Sequence, residues 1–515
     1  MFRMRFIPLT SSELGTARKT VLSYVVGTVL LMLSLSGCAI GPRYQRPVAP
    51  TPPQYKEGNA LPQTNAPAPI AYLDWWRVFE DPALSQLENE AVSANQDIRV
   101  AMARVDQAEA VARYAHSYLF PTISLGASAS RTREAQNRPN NGNTNGRAAT
   151  YNDFQLPLFF SYEIDAWGRV RRTLEAARDV QQATAADLRF VSLSVEANVA
   201  MDYYSLREND TERAVLDSTI QQFQQAFDLT TNRFRAGIAS ELEVKQAKTL
   251  LDQTRTQAQA LDVQRAQLEH AIAVLVGRAA SEFSLPRSPY NGEPPSIPPG
   301  LPADLLAQRP DIAESDRYVA AATAQIGIAR TAYLPHLSLT GLAGFESTSG
   351  GSLFSWANSI TSLGAAALTP VFNGGRVRAG VDQATGAYRE SLAQYEKNVL
   401  IAYQEVEDQL AALRILSGEA ESEKDAVADA RRQEEIAMNR YKTGLVGYLD
   451  VLSAQTTLLS NERVATQISG QRMVATVVLV KALGGGWLGV SAPQPKPDNP
   501  ASGTVTPPTS QKGGA

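Results

Sequence analysis

The side chain with the most distinctive chemical setting is Cys38, the single cysteine of the 515-residue chain. A basic N-terminal region and an apolar run from Val21 to Leu35 precede it, and Ser36-Gly37 leads into the thiol. This order resembles a bacterial lipobox, in which the chain is cut before the cysteine and the thiol then carries lipid. Ala39 follows, and in lipoprotein sorting a residue other than Asp there directs a protein to the outer membrane. An ordinary signal peptide over residues 1–37 with an incidental cysteine is the alternative.

Other chemistry finds little support in the residue types and their spacing. The stretch Gly484–Gly489 fits GxGxxG, but it follows a helical pattern and precedes a Pro-rich tail, so the strand–turn–helix context of a dinucleotide site is absent. The three histidines, His116, His270 and His336, lack the spacing of metal ligands. A net charge of −4 argues against binding to nucleic acid. We therefore expect a covalent lipid on Cys38 and no other cofactor, no metal site, no nucleic-acid partner and no enzyme activity.

Two similar stretches more than two hundred residues apart reveal an internal duplication. RFRAGIASELEV, from Arg233 to Val244, and RYKTGLVGYLDV, from Arg440 to Val451, align at an offset of 207 residues. The stretch GRVR occurs at the same offset, beginning at Gly168 and at Gly375. Further upstream the offset becomes 214, and the extra seven residues of the first copy fall in a polar stretch between Arg138 and Ala149. The chain therefore consists of one unit present twice.

Each copy has the same order of predicted elements: a helix, two strands, a long helix, a glycine turn and a second helix. Period-two alternation predicts strands at 120–135 and 150–166 in the first copy, and at 335–347 and 356–373 in the second. Strands with one apolar and one polar face suit the wall of a membrane barrel better than a core buried on both sides.

The helical segments are unusually long. Gly168–Ala236 and Gly375–Thr443 would each span roughly 100 Å as one helix. The remaining helices are predicted at Asp81–Tyr118, Ser240–Gly277, Asp311–Tyr333 and Gly447–Gly484. Ser240 followed by Glu243 predicts a capping box at the start of its helix. The lengths of these helices favour two rod-like hairpins whose far tips are the two glycine turns.

The predicted fold class is mixed and mainly α, with strands that form part of a membrane β-barrel. Four strands cannot close a barrel around a passage, and open sheet edges are not tolerated in lipid. Several protomers must therefore contribute strands. The predicted division is a signal peptide at 1–37, a lipid-anchored Pro-rich linker at 38–70, a first repeat at 71–285, a Pro-rich equatorial connection at 286–302, a second repeat at 303–490 and a disordered tail at 491–515.

Six motifs, in order along the mature chain, resemble the outer-membrane factor (TolC-like) efflux family in its lipoprotein branch, the NodT-type outer-membrane efflux lipoproteins. They are DWWRVFEDPALSQL (74–87), LLAQRPDIAESD (305–316), AYLPHLSLTG (332–341), PVFNGGRVRAG (370–380), GLVGYLDVLSAQTTL (444–458) and KALGGGW (481–487). The resemblance implies a homotrimeric duct with a twelve-stranded barrel in the Gram-negative outer membrane and an α-helical tunnel through the periplasm. It also implies docking to a periplasmic adaptor and to an inner-membrane pump, of the resistance-nodulation-division class or a related one.

The resemblance further implies two sites at the hairpin tips, 236–240 and 443–447. The adaptor-docking residues would be Gly237, Ile238, Gly444 and Leu445. The periplasmic gate would use Tyr441, Asp450 and Val446, with the carboxylates of three protomers forming a ring. Val446 stands where some members have a basic residue, and Ser453 where some have a second acid. The alternatives are that the glycines only permit the chain to reverse, and that Asp450 only complements the helix dipole.

The resemblance predicts export of small molecules, either drugs or other toxic compounds. Two other functions remain open from the sequence. One is an outer-membrane duct for type I protein secretion. The other is a lipid-anchored periplasmic coiled-coil adaptor that forms no channel, although adaptors usually have one hairpin and this chain has two.

Overall fold

The computed structural model describes residues 39–49, 51–58, 74–135, 150–290, 292–300 and 302–486. The signal peptide, Cys38 and the tail at 491–515 lie outside the described residues. So does the whole polar stretch between Arg138 and Ala149, in which the first copy has its extra seven residues.

Two helices of 67 residues dominate the chain, each roughly 100 Å long. Both begin directly after a glycine and end at the predicted tips, and each is followed by a 35-residue helix that runs back. The helices are α1 (Pro82–Ala94), α2 (Gln96–Ser117), α3 (Arg169–Arg235), α4 (Glu241–Leu275), α5 (Pro302–Gln308), α6 (Pro310–Thr331), α7 (Arg376–Lys442) and α8 (Tyr448–Ala482). The two repeats therefore have the same pair of helices of the same lengths.

The prediction of one helix from Asp81 to Tyr118 is wrong, because Asn95 divides it into α1 and α2. Asn95 is extended, with φ −60° and ψ 136°, and its side-chain oxygen accepts hydrogen bonds from the backbone of Asp97 and Ile98 at 2.8 and 3.1 Å. Its side-chain amide donates to the carbonyl of Leu275 at 2.8 Å. The apolar periodicity of the sequence continues through Asn95, but the helix does not. The asparagine caps a new helix and binds the end of a distant one, so the chain breaks there.

The strands form one antiparallel sheet. They are β1 (Thr122–Leu125), β2 (Ser128–Arg133), β3 (Thr150–Glu163), β4 (His336–Ser347) and β5 (Ser359–Leu368). β1 and β2 pair with β3 in one continuous register, β3 pairs with β4, and β4 pairs with β5. The sheet is therefore four strands wide, and the predicted strand at 120–135 is one strand in two pieces. The predicted strand at 356–373 is shorter, because a 3₁₀ turn occupies Trp356–Asn358 and the pairing ends at Leu368.

A proline explains the interruption between β1 and β2. Gly126 lies opposite Pro157 and donates to its carbonyl at 2.8 Å, but Pro157 has no N–H to return the bond. On the other side, Gly344 pairs with Pro157 so closely that an added Cβ would lie 2.3 Å from the carbonyl oxygen of Leu156. The approach of these two backbones requires glycine at 344.

The sheet exposes apolar side chains within one protomer. Ile123, Leu125 and Leu363 are each more than 60% exposed. Among the residues that the structure describes, no helix combines the length and the apolar character needed to cross a membrane.

The core lies around the middle of the long helices, where Trp75, Tyr204 and Tyr395 are almost fully buried. Two smaller apolar clusters follow the hairpins towards the tips. α3 packs against α2, α4, α6 and α8, while α7 packs against α6 and α8. The two repeats are therefore joined chiefly through α3, α6 and α8.

Buried charges hold the Pro-rich connection against the first repeat. Arg265 of α4 donates to Asp210 at 2.8 Å and to the carbonyl of Leu285 at 2.6 Å. Arg207 donates to the carbonyl of Pro286 at 2.8 Å. The described residues of 286–300 contain no helix or strand, and these ionic contacts fix their path across α3 and α4.

The described part of the predicted linker is extended but packed, which the sequence prediction missed. The hydroxyl of Tyr44 hydrogen-bonds to Asp316 on α6. Further along, the backbone N–H groups of Lys56 and Glu57 donate to the Glu407 carboxylate on α7 at 2.6 and 3.0 Å. The N-terminal segment therefore braces the second repeat as the Pro-rich connection braces the first.

Candidate functional site: the hairpin tips

The first tip reverses the chain through a glycine in the left-handed conformation. Gly237 has φ +75°, its N–H donates to Phe234 O at 2.8 Å, and the N–H of Ile238 donates to Arg233 O at 2.8 Å. This pair of bonds is a Schellman motif, which satisfies the last carbonyls of α3. A Cβ at Gly237 would meet nothing within 4 Å, so the backbone conformation alone requires glycine.

The second tip repeats this geometry. Gly444 has φ +80°, and the N–H groups of Gly444 and Leu445 donate to Tyr441 O and Arg440 O at 3.0 and 2.9 Å. The return helices begin differently. The predicted capping box of Ser240 and Glu243 is present at the start of α4, whereas Gly447 opens α8 without a side-chain cap.

Each tip exposes a pair of large apolar side chains to solvent. Ile238 and Leu445 are 66% and 71% exposed. Leu242 and Leu449, the second residues of the two return helices, are 66% and 64% exposed and were not selected from the sequence as site residues. The four residues occupy matching columns of the duplication, and that repetition was the signal available in the sequence. Exposed apolar side chains in matched positions indicate a contact surface.

Tyr441 is buried between the two hairpins. Its hydroxyl donates to Glu243 at 3.1 Å, and the Arg233 guanidinium carbon lies 4.7 Å from the centre of its ring. Arg233 also donates to the carbonyl of Tyr441 at 3.0 Å. Burial, with a smaller contribution from the bond to Glu243, raises the pKa of Tyr441, so the phenol stays protonated and donates. Tyr441, Glu243 and Arg233, here named the tip joint, fasten the second tip to the first.

The other two predicted gate residues differ in their surroundings. Val446 is half-buried against Tyr441 and Tyr448 in the apolar cluster at the tips. Asp450 is exposed in the first turn of α8 and has no ion-pair partner among the described residues. Tyr441 and Val446 therefore lie together, while the Asp450 carboxylate is free to face another molecule.

A polar groove of about 720 Å³ leads away from the tips between α3, α7 and α8. Its walls include charged side chains of α7 and α8, namely Arg431, Glu434, Glu435, Lys442 and Glu462. Burial raises the pKa of the Glu434 carboxyl. Within the described ranges, no group of three or more His, Cys, Asp or Glu side chains is arranged to hold a metal ion.

Comparison with known proteins gives the family. The model of the family described as outer membrane efflux protein matches residues 87–278 and 301–485, one segment in each repeat. The chain is 32% identical over 472 residues to the probable efflux pump outer membrane protein TtgC of Pseudomonas putida, covering 91% of this chain and 96% of the relative. It is 30% identical over 460 residues to the cation efflux system protein CusC of Escherichia coli, covering 88% and 97%.

Solved structures agree with this relationship. The outer membrane channel CmeC of Campylobacter jejuni has a TM-score of 0.83 at 27% identity, covering 88% of this chain and 96% of CmeC. The outer-membrane channel OprN has a TM-score of 0.82 at 28% identity, covering 88% of this chain and all of OprN. The predicted family and mainly α fold class are thereby confirmed. The chain belongs to the outer membrane efflux protein family, and it is an outer-membrane channel of an efflux system that extends into the periplasm.

Proposed function

We propose that three copies of this chain form one duct that passes small molecules from a periplasmic adaptor and an inner-membrane pump to the exterior. The observation that carries the proposal is the sheet. Within the described residues, β5 and the outer side of β1 and β2 have no strand partner, and the edge strand β5 continues into α7, a helix of 67 residues. Open edges in lipid leave backbone groups unpaired. Three copies, the number that the family resemblance gives, would join these edges into twelve strands.

The tips suit docking to the adaptor. Ile238 and Leu445 are held in solvent by the two Schellman turns, and Leu242 and Leu449 extend the same surface. Burying one such side chain fully contributes about 1.5–3 kcal/mol. The double variant Ile238→Ser/Leu445→Ser should therefore weaken the adaptor contact strongly. Gly237→Asn is the matched control, because Asn tolerates the left-handed conformation and leaves the apolar surface intact.

The experiment uses the chain co-expressed with a periplasmic adaptor and an inner-membrane pump from the same organism, in a host that lacks its own efflux channel. Site-specific cross-linking at the tips and ethidium efflux are measured together. Both fall in the Ser double variant and persist in Gly237→Asn if the tips dock the adaptor. Unchanged cross-linking and efflux in the Ser double variant would mean that the tips do not dock the adaptor and that the glycines serve only the turn.

The proposed periplasmic gate lies in the same region as the docking tips. Three-fold symmetry would bring three Asp450 carboxylates into a ring at the periplasmic aperture, with Lys442 behind them. Tyr441 and Val446 would fix the position of α8 through the apolar cluster at the tips. The resting duct would then be narrow, and movement of the second hairpin away from the first would widen it.

Lipid on Cys38 would anchor each protomer to the inner leaflet of the outer membrane. Such chains add about 0.8 kcal/mol per buried CH₂ group. The described chain begins at Ala39, and the next residue, Ile40, donates a hydrogen bond to Trp167 O at 3.1 Å, just before α3 and below the sheet. That position suits an anchor at the membrane surface.

The cargo is proposed to be chosen by the pump. Relatives with similar sequence identity to this chain carry names that refer to toluene and to cations. Channels of one family therefore serve pumps with different cargoes. The proposed role is passage alone, with no reaction catalysed. Type I protein secretion is the weaker candidate, because the relatives are named as efflux pump components.

A further inference from the structure

A second cavity, of about 250 Å³, lies far from the tips between α3, α8 and the Pro-rich connection. The cavity is walled by side chains from all three segments, namely Tyr204, Glu208 and Thr211 of α3, Tyr290 of the connection, and Ala465, Thr466, Ser469, Gly470 and Met473 of α8. It is somewhat smaller than a drug-sized pocket and suits a small organic molecule.

Glu208 gives the cavity an acid without a counter-ion. Its carboxyl makes no hydrogen bond or ion pair with any residue in the described part of the chain. The neighbouring acid, Glu212, lies one turn along α3 and forms an ion pair with the guanidinium of Arg463 at 2.6 Å. Burial, and then the charge of Glu212, raise the pKa of Glu208 to about 7. A cation in the cavity would stabilise the ionised form.

Two phenol rings face the same space. The rings of Tyr204 and Tyr290 have centroids 5.6 Å apart and meet at 63°. Tyr204 is 1% exposed, and its hydroxyl has no hydrogen-bond partner among the described residues. A buried hydroxyl without a partner is costly and points to a missing one. The faces of tyrosine rings attract organic cations.

Gly470 makes room for the acid. A Cβ at this position would lie 2.4 Å from Cγ of Glu208 and 2.8 Å from its Cβ. Glycine is unfavourable in the interior of a helix, so its presence in α8 opposite a carboxylate has a steric reason. The other repeat has neither residue: at the 207-residue offset, Glu208 corresponds to Ile415 and Gly470 to Val263. The cavity is therefore not a by-product of the repeated helix packing.

We propose that this cavity binds a small organic ammonium ion, with Glu208 as its counter-ion and the rings of Tyr204 and Tyr290 against its alkyl groups. The unpaired carboxyl, the buried hydroxyl and the glycine opposite them form one site. It is separate from the proposed docking and gating residues at the tips, and its test does not depend on them.

The test is calorimetric titration of the full-length protein in detergent with choline, and with 3,3-dimethylbutan-1-ol as its uncharged isostere. Choline binds saturably and at least about tenfold more tightly than the alcohol. Glu208→Gln, which keeps the shape, weakens choline binding by about tenfold or more. Gly470→Ala also weakens it, because the new methyl group displaces Glu208. Glu435→Gln, which removes a carboxylate from the neighbouring groove, leaves choline binding unchanged.

Three results would each overturn the proposal: no saturable binding of choline to the unaltered protein, equal affinity for choline and the alcohol, or unchanged affinity in Glu208→Gln. Helical circular dichroism and gel mobility verify that each variant is folded. If Gly470→Ala does not fold, the isosteric Glu208→Gln variant decides the matter.

Discussion

The tip joint should hold the duct closed, and the double variant Tyr441→Phe/Arg233→Ala removes most of it. Tyr441→Phe deletes the 3.1 Å hydrogen bond to Glu243 and keeps the ring. Since Glu243 is half-exposed, that bond contributes about 1 kcal/mol. Arg233→Ala deletes the guanidinium over the ring, which contributes about 0.5–1 kcal/mol at such a site. Together they shift the balance between the closed and the open tip by about 2 kcal/mol, roughly thirtyfold.

The assay is single-channel recording in planar bilayers. The double variant should show a larger mean conductance than the unaltered protein, and each single variant an intermediate value. Tyr448→Phe is the matched control, because Tyr448 packs against Tyr441 at a ring distance of 5.5 Å but its hydroxyl makes no hydrogen bond among the described residues. Unchanged conductance in the double variant, or an equal rise in Tyr448→Phe, would refute the reasoning.

Three further predictions concern single residues. Asp450→Ala should raise single-channel conductance and weaken block by divalent cations, and unchanged conductance and block would remove Asp450 from the gate. Gly344→Ala should prevent recovery of folded protein after dilution from urea into detergent, because its Cβ meets backbone at 2.3 Å, whereas Gly364→Ala, whose Cβ meets only Thr340 at 3.6 Å, should refold normally. Glu88 is fully buried without a hydrogen-bond partner among the described residues, and its burial, with the charge of Glu196, raises its pKa well above the ordinary 4.5. The folded chain therefore keeps a proton that the unfolded chain releases, and stability falls by about 1.4 kcal/mol per pH unit from pH 4.5 up to the folded pKa. Glu88→Gln should make the free energy of unfolding in urea fall less steeply as the pH rises above 4.5, and parallel pH profiles of the two proteins would contradict this.

Much of the fold could be predicted because its signals are local and occur twice. Period-two alternation located the strands, and the repeated glycines located the ends of the four long helices. The misses arose where a single residue overrides a periodic pattern. Asn95 ends one helix and caps the next through the N–H groups of Asp97 and Ile98, and its side-chain amide also donates to Leu275 O, which lies 180 residues away. Pro157 interrupts the pairing of a strand that precedes it in the chain.

The tip joint could not be predicted in the same way. The duplication identified Gly237 and Gly444, because their left-handed turns depend only on neighbouring residues. The contact of Tyr441 with Glu243 joins residues 198 positions apart, and that with Arg233 joins residues 208 apart. These pairs join the end of α7 to α3 and α4, and they form only because the two hairpins pack together through α3 and α8, which no single-sequence pattern encodes. The cavity at Glu208 was missed for the same reason.

The central claim is that identical chains unite their open-edged sheets into one conduit. The most direct measurement is the mass of the detergent-purified mature protein, combined with conductance of the same sample in a planar bilayer. The account predicts a trimer that forms pores, with discrete conductance steps. A stable monomer that makes no pore would contradict it.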